Sequence, residues 1–193
     1  MIRARGRPVP GEGLMREDIL TTALTLLDEG GGQGLTLRAL AARLGVTPMS
    51  LYHHVGDQVG LLRALSDRVY AEVMKCPKCP GDAQAEIQAL LTRFYEAVGH
   101  HPQLILAIFS MPQAFSGVTR QITDRLTTLL TQITTDPIIW RDILVDHTHG
   151  SGLALAATQG DRMQAQALQA RYQQALTQLL SRLTPSSKGS PCS

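Results

Sequence analysis

The sequence predicts an all-α protein with a small N-terminal domain and a larger helical C-terminal domain. Beyond residue 13, apolar residues recur at spacings of three and four, which is the period of an α-helix, and no segment shows the alternation typical of a strand. Capping residues, glycines and prolines divide these apolar runs into lengths typical of helices. Of the 193 residues, 44% are hydrophobic, which is enough for an ordinary core.

The first two helices follow from their apolar faces and their ends. The first is expected from about Met15 to Glu29 and should end at glycines 30–32. The second begins after Thr36, whose hydroxyl can cap it. Its apolar face consists of Leu37, Leu40, Ala41 and Leu44.

A glycine separates the second helix from a short third one. Gly45 can take the positive φ that lets the chain leave a helix, and Thr47-Pro48 supplies a cap and a proline at the first helical position. The third helix should end near residues 55–56. Asp57 then caps a longer fourth helix that runs to about Met74.

Two prolines and a glycine within Cys76-Pro77-Lys78-Cys79-Pro80-Gly81 interrupt the chain and predict a domain junction. We expect an N-terminal domain at 14–75 and a C-terminal domain at 82–184, between a flexible basic arm at 1–13 and a disordered tail at 185–193. The C-terminal helices are expected at about 83–99, 102–110, 117–134, 137–158 and 162–183.

The second and third helices have the layout of a DNA-reading helix-turn-helix: a tight glycine turn and a short second helix that is polar on one side. The alternative is an ordinary helical hairpin within a bundle. The apolar residues that would set the angle between these helices are Leu37, Leu40, Leu44, Val46, Leu51 and Val55. The polar face remains free to enter a groove.

Residues 37–46 (LRALAARLGV) and 51–55 (LYHHV) resemble the DNA-binding domain of the TetR family, and the match extends over about residues 15–70. The resemblance implies a dimeric operator-binding protein, usually a repressor, whose C-terminal helices pair and whose middle helices enclose a ligand. It assigns DNA-facing roles to Thr36, Thr47, Pro48, Met49, Ser50, Tyr52, His53 and His54.

One departure from the family concerns the start of the fourth helix. A lysine that contacts phosphate is frequent there, whereas Gly56-Asp57-Gln58-Val59 offers no cation. Backbone amides or Gln58 would have to replace it, and we expect a weaker non-specific grip on DNA or more reliance on the N-terminal arm. Arg5 and Arg7 of that arm could enter an adjacent minor groove or remain solvated.

The C-terminal helices carry two further candidate surfaces. An apolar effector chamber is expected to be lined by Phe94, Leu104, Ile108, Phe109, Met111, Phe115, Ile122 and His147, although each could equally be a core residue. A symmetric dimer face is expected at Gly152, Leu153, Ala156, Leu168, Tyr172, Leu176 and Leu179.

Metal and cofactor chemistry has little support. A structural zinc needs four ligands, and no second pair follows Cys76 and Cys79, so a plain loop is expected there, with a metal or thiol role as the alternative. His147 and His149 are two residues apart, so on a helix they point to different sides. We expect no metal and no cofactor.

These observations predict a cytoplasmic, sequence-specific DNA-binding regulator that releases its operator when it binds a small, apolar molecule. The net charge of +2 gives no global basic field, so this prediction depends on the motif. Three cysteines without a secretory signal fit a reducing compartment, and no apolar run is long enough to cross a membrane. The alternatives are a ligand-independent activator or architectural factor and, more remotely, a helical enzyme.

Overall fold

A computed structural model describes residues 14–75, 82–158 and 160–183, and within these ranges the chain is all-helical, as expected. The α-helices are α1 (Arg16–Gly34), α2 (Leu37–Leu44), α3 (Pro48–Val55), α4 (Gln58–Met74), α5 (Ala83–His100), α6 (Pro102–Ser110), α7 (Val118–Leu130), α8 (Pro137–Ala156) and α9 (Arg162–Leu180). A 3₁₀ turn, Pro112–Ala114, separates α6 from α7. We call α1–α3 the head and α5–α9 the body; α4 links them.

The head forms as its capping residues predict. The Thr36 side chain accepts from Ala39 N at 3.0 Å, and Gly45 ends α2 with a φ of 70°. Helix α1 is interrupted among the glycines where its end was expected: Gly31 leaves the helical region with φ 62° and ψ −170°. A short turn then runs to Gly34 and is closed by the hydrogen bond from Leu35 N to Gly31 O.

The junction between α3 and α4 is unusually close. The side chain of Asp57 accepts from Gly60 N at 2.8 Å and so caps α4. A Cβ at Gly60 would overlap the carbonyl oxygen of Val55. Glycine at this position therefore allows α4 to begin directly against the end of α3, which fixes the orientation of α3 on the head.

In the body, α5 packs against α8 and also contacts α4, α6, α7 and α9. Helices α5 and α8 approach closely because Gly152 has no side chain. A Cβ at this position would lie 2.7 Å from the side chain of Val98. Glu86 on α5 is almost buried and bonds Arg125 of α7 at 2.9 Å, so its charge is compensated. Helices α7, α8 and α9 end a few residues earlier than expected, because their last residues tighten into turns such as Ile133 N to Leu130 O.

The head is attached to the body by α4 and by contacts from α1. Arg63 of α4 donates to the carbonyl of Gln113 at 2.8 Å, and Asp67 of α4 accepts from Val118 N at 2.8 Å. Asp67 thus caps α7 from another helix. The end of α1 lies on α6, where a Cβ at Gly32 would come within 3.4 Å of the Ala107 Cβ. Movement of α6 or α7 would therefore also displace the head.

Several sequence-based expectations concern parts of the chain beyond these ranges. The basic arm, the Cys76–Gly81 junction and the C-terminal tail lie outside the described residues. Over the ranges that are described, no helix is long and apolar enough to cross a membrane.

Candidate nucleic-acid interface

Helix α3 buries one side and exposes the other. Leu51 is fully buried and Val55 nearly so, and both anchor the helix to the core of the head. On the opposite side, Met49 is 66% exposed and Tyr52 is 49% exposed. An apolar thioether and an aromatic ring at the surface are not needed for folding, so this face is suited to contact another molecule. The neighbouring His53 and His54 are also exposed.

The start of α3 is held by two hydroxyl groups. Thr47 Oγ1 accepts from Ser50 N at 3.3 Å and lies 3.0 Å from Ser50 Oγ. Thr47 and Pro48 are exposed, whereas Ser50 is half-buried. Ser50 therefore stabilises the helix start, and when its Oγ accepts from the Thr47 hydroxyl its own proton is free to bond one phosphate oxygen.

A cation that the motif did not single out lies beside Thr36. Arg38 is exposed in the first turn of α2 and forms no ion pair with any residue in the described ranges. By contrast, Arg43 at the other end of α2 pairs with Glu29 of α1 at 2.6 Å. The hydrogen bond and charge of Arg43 lower the pKa of Glu29, and Glu29 in turn raises the pKa of Arg43. Arg38 is therefore available to a phosphate at the second helix of the motif.

Gln58, at the start of α4, is held by a hydrogen bond within the protein. Its side-chain amide donates to the carbonyl oxygen of Leu35, so it ties α4 to the loop between α1 and α2. One of its two N–H donors is thus used within the protein, and a phosphate contact by Gln58 stays a prediction for the other. The exposed group at this helix start is instead the carboxylate of Asp57, which carries the wrong sign for a phosphate contact.

A sequence profile for bacterial regulatory proteins of the tetR family matches residues 19–65, which run from the buried Ile19 of α1 to the buried Leu65 of α4. Residues 19–65 therefore form a helix-turn-helix region of the TetR type. The matched segment contains the whole helix-turn-helix and the first half of the linking helix.

Two curated transcription regulators match short segments of the chain. HTH-type transcriptional regulator Rv0681 of Mycobacterium tuberculosis is 44% identical over 61 residues, which are 27% of this chain and 28% of that protein. The class C tetracycline repressor protein of Escherichia coli is 54% identical over 41 residues, which are 21% of this chain and 19% of the repressor. The matched segments thus cover less than a third of either relative.

Solved TetR-type structures match the fold over most of the chain. BioQ with its double-stranded DNA operator has a TM-score of 0.66 at 23% identity, over 88% of this chain and 99% of BioQ. A TetR of Acinetobacter baumannii in complex with minocycline has a TM-score of 0.66 at 21% identity, over 87% of this chain and 95% of that protein. At this identity the likeness establishes the fold of the body, not its ligand.

The residues that were expected to line an effector chamber differ in how deeply they are buried. Four of them are buried in the body core: Phe94, Leu104, Ile108 and Ile122. Phe109 and Phe115 are about half-exposed, and Met111 and His147 are half-buried. His147 stacks on Tyr172 with ring centroids 5.4 Å apart, away from the others. The spacing of apolar residues could not distinguish core residues from exposed ones, because the burial of each side chain depends on contacts with helices distant in the sequence.

Three of the expected dimer-face residues are buried within their own chain. Gly152 faces Val98, Leu176 is fully buried, and the Tyr172 hydroxyl donates to Leu91 O at 2.9 Å. These three are corrected to core positions, because α8 and α9 turn these sides toward α5. The half-buried residues of the set are Leu153, Ala156, Leu168 and Leu179. Leu168 and Leu179 border two shallow grooves between α8 and α9, which meet at His147.

Proposed function

We propose that this protein is a cytoplasmic, dimeric repressor that binds a specific DNA operator through α3 and releases it when a small molecule binds the body. The observation that carries the proposal is the exposed side of α3, which is rigidly capped, packed on the head by Leu51 and Val55, and presents Met49 and Tyr52 outward. Two such helices read successive major grooves when a dimer sets them about 34–36 Å apart.

Contacts on the head divide into those that position it and those that read bases. Thr36, Arg38 and Ser50 are placed for phosphate oxygens, which fix the register of a protein on DNA. Met49 suits a thymine methyl, and the imidazoles of His53 and His54 can donate to or accept from base edges. In this proposal, sequence preference comes from α3 and orientation comes from the start of α2.

Release requires that the body and the head move together. Arg63 and Asp67 fasten α4 to the 3₁₀ turn and to α7, and the end of α1 rests on Ala107 of α6. A ligand that prefers one arrangement of α6 and α7 would therefore change the spacing of the two heads. The Acinetobacter relative with minocycline and BioQ with its operator support this assignment over a helical enzyme.

The test is fluorescence anisotropy of a labelled duplex taken from upstream of the protein's own coding sequence, titrated beside a scrambled duplex at several salt concentrations. We expect tight, salt-sensitive binding that prefers the upstream duplex. A Tyr52→Ala, His54→Ala variant should lose about tenfold or more in affinity for that duplex.

Phe115→Ala is the matched control, since Phe115 is 47% exposed, much as Tyr52 is, but belongs to the body. This control should bind like the wild type. Equal weakening by both variants, or none by either, would show that α3 does not read the DNA. Release of the duplex in a screen of small molecules would separate a ligand-responsive repressor from a ligand-independent factor.

A further inference from the structure

Two of the buried hydrogen-bonding atoms that have no partner among the described residues lie next to the same aromatic ring. One is Oη of Tyr70 on α4, a side chain with no exposed surface, and the other is Nε2 of His149 on α8. A buried polar group without a partner costs free energy, so such groups are rare unless a further molecule satisfies them. Both atoms therefore indicate a missing hydrogen-bonding partner.

The two side chains belong to one aromatic cluster. The ring of Phe94 lies edge-on to Tyr70 at 5.5 Å and edge-on to His149 at 5.2 Å between centroids. Phe109 of α6 completes the cluster, with its ring centroid 5.1 Å from that of His149. Four different helices, α4, α5, α6 and α8, thus contribute one aromatic side chain each.

Phe109 is the outer member of the cluster. Its side chain is 54% exposed, whereas Phe94 is only 4% exposed. Because Phe109 packs edge-on against His149 and is half-exposed, movement of its ring is the route by which a molecule would enter the cluster. The cluster is therefore closed as it stands and can open from one side.

A second pair of unpartnered atoms, Tyr95 Oη and His147 Nε2, does not offer such a gap. Their rings lie on either side of Tyr172, and the Tyr95 and Tyr172 rings are stacked face to face at 4.1 Å. No molecule fits between rings at that separation. This pair provides a useful comparison because Tyr95 resembles Tyr70 in chemistry but not in surroundings.

We propose that the cluster of Tyr70, Phe94, Phe109 and His149 is the effector site, and that it takes a neutral aromatic molecule carrying a hydroxyl or carbonyl group. This inference rests on the proposed function, which it deepens by naming the effector's chemistry. The aromatic body of the molecule would lie against Phe94, displace Phe109 and bond Tyr70 Oη and His149 Nε2. Both groups can donate or accept, so either a hydroxyl or a carbonyl satisfies them.

The electrostatics of the cluster favour an uncharged effector. Burial lowers the pKa of His149, so its imidazole is neutral near pH 7 and supplies no cation for an acid. Burial also raises the pKa of the Tyr70 hydroxyl, which keeps its proton. This refines the expectation of a purely apolar effector, because a molecule without polar atoms would leave both groups unpaired.

The site also touches the two elements that control the head. Tyr70 lies on α4, the linking helix, and Phe109 lies on α6, which carries the end of α1. A molecule bound in the cluster would contact α4 and α6 together, so binding there has a direct route to the spacing of the heads.

The test uses 2-naphthol, which has a hydroxyl, and naphthalene, which has the same rings without it. Each is titrated into the full-length protein and followed by its own fluorescence. We expect saturable binding of 2-naphthol to the wild type, and a loss of about three- to tenfold in Tyr70→Phe and in His149→Phe. Naphthalene affinity should not fall in either variant.

Tyr95→Phe is the matched control, because it removes another buried, unpartnered hydroxyl outside the cluster. It should leave 2-naphthol binding unchanged, and Tyr70→Phe should not lower the melting temperature, as loss of a structural hydrogen bond would. Absence of 2-naphthol binding by the wild type, or equal loss in Tyr95→Phe and Tyr70→Phe, would overturn the site.

Operator titrations on the same preparations, without either probe, keep this result separate from the proposed function. Retained operator preference with no naphthol binding would overturn only the effector site. Lost operator preference with the expected naphthol binding would overturn the repressor and leave the site.

Discussion

The role of a buried polar side chain in this protein depends on whether its neighbours satisfy its hydrogen bonds. Thr148 and Tyr172 are buried polar residues that bond each other at 3.1 Å, and Tyr172 also donates to Leu91 O. They belong to the core. Tyr70 and His149 are buried among aromatic rings without such partners, which is why they point to a ligand rather than to stability.

Three half-buried histidines predict a dependence of stability on pH. Burial lowers the pKa of His101, His147 and His149 from the ordinary 6.5. As the pH falls below about 6.5, the unfolded chain therefore binds protons before the folded chain does, and the free energy of unfolding decreases. Above that pH these histidines are neutral in both states and contribute no slope.

Urea denaturation at pH 7.5 and pH 5.5 measures this effect. We expect lower stability at pH 5.5, and a smaller difference between the two values in His149→Phe, which cannot take up the proton. Stability that is equal or greater at pH 5.5 would contradict the prediction.

Helices of the head depend on caps that also set its charge toward DNA. Thr36, Thr47 and Asp57 each accept from a backbone amide three residues later, so the starts of α2, α3 and α4 have the same design. The caps of α2 and α3 are threonine hydroxyls, whereas the cap of α4 is the carboxylate of Asp57. Its negative charge would repel a DNA phosphate at the position where the family often has a lysine.

Asp57→Ser should keep the cap and remove the charge. We expect affinity for duplex DNA to rise by about three- to tenfold at low salt, with the gain shrinking at high salt as the charge is screened. Asp57→Ala is the control for the cap, since it removes the same charge and should cost about 1 kcal/mol of stability. Anisotropy titrations over a salt series, with melting curves beside them, measure both effects; unchanged affinity at low salt would place Asp57 away from the DNA backbone.

The whole molecule is proposed to function as a pair, since one head reaches only one half-site. Leu168 and Leu179 of α9 are half-buried beside the grooves between α8 and α9, and they remain the best candidates for a symmetric contact. The buried Tyr172 and Leu176 support the same helix from within.

A Leu168→Glu, Leu179→Glu variant should therefore be a folded monomer. We expect its mass in light scattering to be near the 20.9 kDa of one chain, and its operator affinity to fall by at least about a hundredfold through loss of the second head. Leu106→Glu alters an equally apolar residue that is 44% exposed on α6, and it should leave the mass of the dimer unchanged. A dimer that persists in the double variant would place the interface elsewhere.

The sequence by itself determined the helices of the head and the side of α3 that faces outward. Its signals are local: a cap bonds an amide three residues away, and a glycine such as Gly45 needs no distant partner to turn the chain. The break of α1 at Gly31 likewise falls within the glycine run where the sequence predicted an end. Arg38 could have been found, since it is a cation in the first turn of α2, two residues after Thr36.

Only the tertiary structure decided which apolar residues of the body are core, dimer face or ligand site. Helices α8 and α9 are apolar on more than one side, so their spacing does not say which side meets α5. Tyr172 donates to the carbonyl of Leu91, 81 residues earlier in the chain, and the ring of Tyr70 on α4 packs edge-on against Phe94 on α5. Such pairings arise from the packing of distant segments, where the period of one helix carries no information about its partner.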